Sequence, residues 1–229
     1  MKTGDHKDLT ETRVSGEAVF DGKLLHVRRD VVRLPDGAHA TREYIVHPGA
    51  VTIIPILDSG ELVMERQYRY PVSRELVELP AGKIDPGEST LETARRELLE
   101  ETGYTAASWA YVTTIHPLCG YTDERIELWL ARGLRHEGRR LDDGEFLETF
   151  PLGLAEAVEW VRTGRITDVK TIVGILWAEK VVSGAWPEPG GEPPGSVTSL
   201  SHLPVSPMRS AVSLVRAPAR ARVWFMLLK

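Results

Sequence analysis

The stretch GKIDPGESTLETARRELLEETGY, residues 82–104, constrains this chain more than any other. Its middle must be helical. Ser89 followed three residues later by Glu92 is a capping box, Leu91, Ala94 and Leu98 recur at helical spacing, and Gly103 supplies a stop. On a wheel of 100° per residue with Glu97 at zero, Glu101 lies about 40° one way and Glu100 about 60° the other. Three carboxylates therefore share one stripe beside an apolar face that must dock on a core. The fold has to cover one side of this helix and leave the stripe reachable.

As helix chemistry alone the stripe is unfavourable. Like charges at i,i+4 repel by about 0.2–0.5 kcal/mol per pair, and anions near a helix C-terminus oppose its dipole. Arg96 relieves part of this, because Glu92 and Glu100 sit four residues to either side of it. The plain reading is a solvated Glu/Arg face. The sharper reading is a divalent cation, since hard ions such as Mg²⁺ take oxygen ligands and need only a few carboxylates plus waters and substrate phosphates.

The spacing of the whole stretch separates the two readings. Gly82, Glu88, Arg96, Glu97, Leu98, Glu100, Glu101, Gly103 and Tyr104 fit Gly-x5-Glu-x7-Arg-Glu-U-x-Glu-Glu-x-Gly-U, with U bulky and apolar. From average residue usage, a chance match in a chain of this length is roughly one in 10⁵–10⁶. This is the Nudix box, and the chain resembles a Nudix hydrolase. The resemblance implies metal-dependent cleavage of a nucleoside diphosphate linked to another group. It also implies an α/β fold, an α/β/α sandwich with a mixed β-sheet and N-terminal antiparallel strands. By the same resemblance Glu97, Glu100 and Glu101 are metal ligands, joined by the carbonyl of Ala81, and Glu97 and Arg96 belong to the catalytic set. The cofactor implied is Mg²⁺, with Mn²⁺ tolerated.

Composition narrows the setting. The 229 residues suit one domain, or one domain with a long appendage, and 42% hydrophobic content is enough for a core. A net charge of −5 without a basic stripe argues against a nucleic-acid surface. The single cysteine, Cys119, excludes an intrachain disulfide and fits a reducing cytosol; it reads as a small apolar filler. The polar start MKTGDHKDLTETR lacks an apolar signal core, and no run of 18 apolar residues could span a bilayer. The expectation is a soluble, cytoplasmic protein with no nucleic-acid or membrane partner.

Along the chain, residues 1–13 read as a polar lead-in and 14–185 as the catalytic domain. Strands are expected at 24–27, 31–34 (before a Pro35-Asp36-Gly37 turn), 43–46, 51–57, 61–69, 76–79, 110–115 and 126–130. The nearly all-apolar run 51–57 predicts a strand covered on both faces. Helices are expected at 154–162, ending by Gly164, and from an Asp168 cap through Lys180. From Trp186 the chain turns rich in Pro, Gly and Ser, so 186–229 reads as a poorly ordered tail. Five basic residues against two acidic ones follow Trp186, leaving the body more acidic than the whole.

Four flanking segments resemble the ADP-ribose pyrophosphatase branch of the family: His47-Pro48-Gly49-Ala50-Val51, Arg66-Gln67-Tyr68-Arg69, Glu78-Leu79-Pro80-Ala81-Gly82 and Gly120-Tyr121-Thr122-Asp123-Glu124. That branch often places a proline directly before the glycine of the last segment; here Cys119 stands there and the proline is Pro117. The departure widens the expected substrates from ADP-ribose to related nucleoside diphosphate sugars. Arginine suits a diphosphate because its planar fork grips phosphate oxygens in pairs. The resemblance assigns that grip to Arg69, with Arg42 a second candidate that reaches across from another subunit. It places the base that activates water in a loop well after the box, where Glu145 is the choice and Glu148 the runner-up. His47 and His116 read as structural, and Tyr68 and Tyr121 as core aromatics rather than adenine stackers. A homodimer with exchanged N-terminal strands is implied. The competing reading is a non-catalytic Nudix-like module that binds ADP-ribose or another nucleotide; such modules generally lose box carboxylates, and here all are present.

Overall fold

A computed structural model describes residues 7–139 and 146–190. The apolar run after Gly49 forms the central strand. Here β4 (Ala50–Pro55) is buried at every position and pairs in parallel with β9 (Ile126–His136). The outer partners are antiparallel: β7 (Ala81–Lys83) joins β4, and β8 (Tyr104–Ile115) joins β9, giving the order β7-β4-β9-β8. This mixed sheet carries helices on both faces. Val51, Ile53, Trp129 and Ala131 pack with Ala94 and Leu98 of α1 (Thr90–Thr102). On the other face, Ile54, Leu128 and Leu130 share a core with Ile175 and Ala178 of α3 (Val169–Val182). Each such buried side chain contributes about 1.5–3 kcal/mol over its exposed state.

A second sheet is fully antiparallel. It is built from β5 (Glu61–Arg69) between β10 (Leu147–Gly153) and β6 (Arg74–Glu78). The chain then enters α2 (Leu154–Arg162). Close packing of α3 depends on Gly174, where a Cβ would fall 2.5 Å from Leu79 Cδ1. The third sheet holds β1 (Thr12–Asp21), β2 (His26–Arg33) and β3 (His39–Val46), antiparallel throughout. It leaves Val14, Val19, Phe20, Leu24 and Leu25 exposed. Among the described residues, no helix is long and apolar enough to cross a membrane.

Several boundaries differ from those expected. Strand β1 begins at Thr12, inside the segment read as a lead-in, and its polar sequence concealed it because both faces are largely exposed. The expected strands at 24–27 and 31–34 are one continuous β2 after a Gly22-Lys23 turn. Strand β7 is only three residues long and too short to carry a period. Leu147 and Glu148 were expected in an acidic loop; they open β10, with Glu148 opposite Arg66 of β5. Trp186 was assigned to the tail, yet its ring meets Trp177 edge-on with centroids 4.5 Å apart, and Glu188 pairs with Arg132 at 3.0 Å.

Candidate active site

The capping box forms as expected. Ser89 N donates to Glu92 Oε2 at 2.8 Å, Glu92 N donates to Ser89 Oγ at 3.3 Å, and Gly103 closes α1 at φ 75°. The register so fixed points Ala94 and Leu98 inward and turns the acidic stripe toward β7.

Arg96 organises three of the box glutamates. Its Nε and Nη2 each bond Glu88 at 3.0 Å, while Nη1 donates to Glu97 Oε1 at 2.8 Å and Glu100 Oε2 at 3.0 Å. The Arg96 guanidinium is the main reason that the Glu88 carboxyl is held down at about 2, and the carboxylates in turn raise Arg96. The Glu97 carboxylate lies directly over β7. A Cβ at Gly82 would fall 1.8 Å from Glu97 Oε1, so the box glycine is required by contact rather than by a positive φ.

Glu101 also reaches β7 but lies deeper, only 5% exposed. Its Oε2 accepts the Ala81 N–H at 3.0 Å. Beside it stands Glu65 of β5, fully buried, whose carboxyl accepts no hydrogen bond among the described residues. Burial first, and the neighbouring Glu78 second, push the Glu65 carboxyl up to about 8. Burial therefore favours the neutral form of Glu65 over the carboxylate.

Among the described residues no three Asp, Glu, His or Cys side chains converge as a ready-made cation cage. Arg96 takes up Glu97 and Glu100, and the Ala81 amide takes up Glu101. The donor set nevertheless fits a hard divalent ion. It is made of oxygens alone, and Glu97 lies against the Gly82 backbone, one residue from Ala81.

The remaining candidates scatter. Arg69, at the end of β5, reaches Glu78 with Nε at 2.7 Å and Nη2 at 2.8 Å, so its fork is already engaged by a buried carboxylate. Arg42 lies on β3 and bonds Glu11 and the Thr41 carbonyl; among the described residues it is not brought to the box. Glu145 lies outside the described residues. Glu148 is a strand residue paired with Arg66 at 2.9 Å. His47 sits in a local turn: its backbone N–H donates to Asp123 Oδ1 at 2.7 Å, and its Nδ1 accepts the Gly49 N–H at 3.1 Å. Tyr68, near the end of β5, and Tyr121, in the turn between β8 and β9, were read as core but are both more than half exposed. Cys119, read as apolar filler, is also exposed.

Sequence reasoning passed over the cluster behind Arg69. Glu78 is 1% exposed and carries both Arg69 and Lys170, and Lys170 Nζ also donates to Asp168 Oδ2 at 2.9 Å. The available signal was an acid, Glu65, set within the apolar run Leu62-Val63-Met64 of β5.

Comparison with known proteins matches this architecture. A NUDIX domain model covers residues 46–170, and a nucleoside diphosphate sugar hydrolase N-terminal domain model covers 11–45. The chain is 38% identical to an ADP-ribose pyrophosphatase of Bacillus subtilis over 76% of its own length and 95% of that protein. It is 37% identical, with the same coverage, to a methanol dehydrogenase activator of Bacillus methanolicus. The crystal structure of an ADP compounds hydrolase shares the fold at a TM-score of 0.70 and 24% identity, covering 79% of this chain and 98% of that one. With the box intact on α1 and the loop before it, and with that domain model spanning more than half its length, the chain belongs to the Nudix hydrolase family.

Proposed function

We propose that the protein hydrolyses the pyrophosphate bond of ADP-ribose, or of a related nucleoside diphosphate sugar, releasing AMP and ribose 5-phosphate in a Mg²⁺-dependent reaction (Mn²⁺ substituting). One observation carries this reading. All four box carboxylates are present: Glu97 lies against Gly82, Glu101 is held inside by the Ala81 amide, and Glu88 and Glu100 are gathered with Glu97 on Arg96. The similarity to the B. subtilis ADP-ribose pyrophosphatase supports ADP-ribose as the substrate.

In this reading Glu97, Glu100, Glu101 and the Ala81 carbonyl would hold a divalent cation, which when bound would supply charge neutralisation at the phosphates and activation of water. Arg96 sets the spacing of Glu97 and Glu100 and keeps Glu88 folded over the loop. Arg69 grips the non-bridging oxygens of the diphosphate, and Arg42 adds a second grip from the other subunit of a homodimer. Glu145 takes the proton from the attacking water. The new P–O bond forms as the bridging P–O bond breaks, and ribose 5-phosphate departs. The exposed apolar side chains of β1 and of the turn after it support the homodimer, because a free monomer would leave them in water. The acidic body and lone cysteine support a cytoplasmic protein without nucleic-acid partners.

The test is a side-by-side assay of ADP-ribose, ADP-glucose, GDP-mannose and a dinucleoside polyphosphate with Mg²⁺, with Mn²⁺ and with chelator. Metal-dependent AMP release that is fastest from ADP-ribose is the expected result. A faster rate on another sugar nucleotide changes the substrate and keeps the enzyme class. Tight ADP-ribose binding with no AMP returns the chain to the binding-module reading.

A further inference from the structure

Arg69 does not stand alone. Its Nε and Nη2 make a two-pronged contact with Glu78, a carboxylate shut away from water at the end of β6. Among the described residues its remaining nitrogen, Nη1, has no partner, and the Arg69 side chain keeps 39% of its surface exposed. The geometry leaves one edge of the guanidinium presented outward and locks the other two nitrogens inward. How firmly that edge is aimed depends on what holds Glu78.

Glu78 is held from 92 residues away. Lys170, in the first turn of α3 and 12% exposed, donates to Glu78 Oε2, the oxygen that also accepts Arg69 Nη2. Lys170 is itself tied to Asp168, the N-cap of α3, whose Oδ2 accepts the Thr171 N–H at 3.0 Å. A second tie runs alongside, with Leu79 N donating to Thr171 Oγ1 at 2.9 Å. Leu79 is two residues before Ala81, so the first turn of α3 fastens both the base of Arg69 and the approach to the box. The charges balance. Two cations, Arg69 and Lys170, face two anions, Glu78 and Asp168.

We propose that Lys170 is a positioning residue for the reaction: acting through Glu78, it fixes the Arg69 guanidinium so that its Nη1 edge meets the diphosphate. The proposal rests on the reading of Arg69 as the phosphate grip. Without Lys170, a buried carboxylate keeps one of its two cations, and Arg69 becomes the sole group able to neutralise it. The fork is then drawn inward and its aim at substrate loosens. Lys170 touches neither substrate nor metal in this arrangement, so its influence has to pass through Arg69.

That requirement gives the test. We would compare the parent, Lys170→Met, Lys170→Arg, Arg69→Gln and the double variant Arg69→Gln/Lys170→Met. The readouts are kcat and KM on ADP-ribose with Mg²⁺, calorimetric affinity for ADP, and Mn²⁺ affinity by electron paramagnetic resonance. Lys170→Met is expected to lose about tenfold in kcat/KM and to weaken ADP binding, within the range for coupled contacts. Its Mn²⁺ affinity should not change, and Lys170→Arg should recover most of the loss. In the Arg69→Gln background the Lys170→Met change should add almost nothing. Equal losses in both backgrounds, or a shifted Mn²⁺ affinity, would overturn the proposal and leave Lys170 a general support of the fold. If Lys170→Met does not fold, Lys170→Gln enters the same cycle under the same criteria. A parent that binds ADP but does not cleave ADP-ribose refutes the hydrolase reading, and the binding cycle still decides the role of Lys170. A parent that does neither refutes both.

Discussion

The protein keeps two groups of carboxylates, and they are managed in opposite ways. Around Arg96, Glu88, Glu97 and Glu100 sit at the rim of a helix, partly exposed, and one guanidinium serves all three. Around Glu78, the carboxylates lie inside, served by two cations from different elements and by one acid kept neutral. The rim group can tolerate surplus negative charge because water screens it, which leaves that charge available to a cation. The buried group has to be neutral in sum, because an unpaired charge in a low-dielectric interior is severely penalised. The difference separates a group built to take up a ligand from one built to hold a geometry.

The largest effect should come from the residue that joins the two groups. Glu101→Gln should lower turnover about a thousandfold while far-ultraviolet circular dichroism stays unchanged; a rate within threefold of the parent would remove Glu101 from the ligand set. The buried group should fail in stability instead. Glu78→Ala leaves Arg69 and Lys170 facing an empty carboxylate position, and should cost about 3 kcal/mol in urea unfolding. A cost below about 1 kcal/mol would show that water reaches the group and would erase the contrast with the rim.

A pH series sharpens the comparison further. Glu65 stays protonated up to about pH 8 in the folded protein, whereas its ordinary value is 4.5. Between those values the unfolded chain binds fewer protons, so this group's contribution is whole below about 4.5 and is lost as pH rises through 8. Glu65→Gln, unable to ionise, should match the parent near pH 5. In chelator at pH 8 it should exceed the parent by on the order of 2 kcal/mol. Parallel stability curves across that range would show Glu65 charged in the folded protein. The smallest effect belongs to the rim helix itself: Ser89→Ala removes the N-cap bond and should cost about 1 kcal/mol in thermal unfolding.

The rim group was legible because it is local. Ser89, Glu92, Leu98 and Gly103 declare the helix, and the offsets among Glu97, Glu100 and Glu101 declare the stripe. The same reasoning gave the all-buried β4 and the Asp168 cap of α3. It missed β1, whose exposed faces carry no period, and it misread 147–148 as loop, because Glu148 looks like turn chemistry until Arg66 is found across the strand pair. Which way each box carboxylate turns was also beyond it, since an angular wheel does not tell that Glu101 faces the Ala81 amide while Glu97 and Glu100 face Arg96.

By itself the sequence determined the family, the helix that carries the box and the identity of every carboxylate on it. Those follow from spacing within two dozen residues, and helical geometry turns spacing into position without help from the rest of the chain. Only the tertiary structure decided that Arg69 answers to Glu78, and Glu78 to Lys170 across 92 residues. A buried charge takes its partner from whatever the packing brings near, and no local period records that choice.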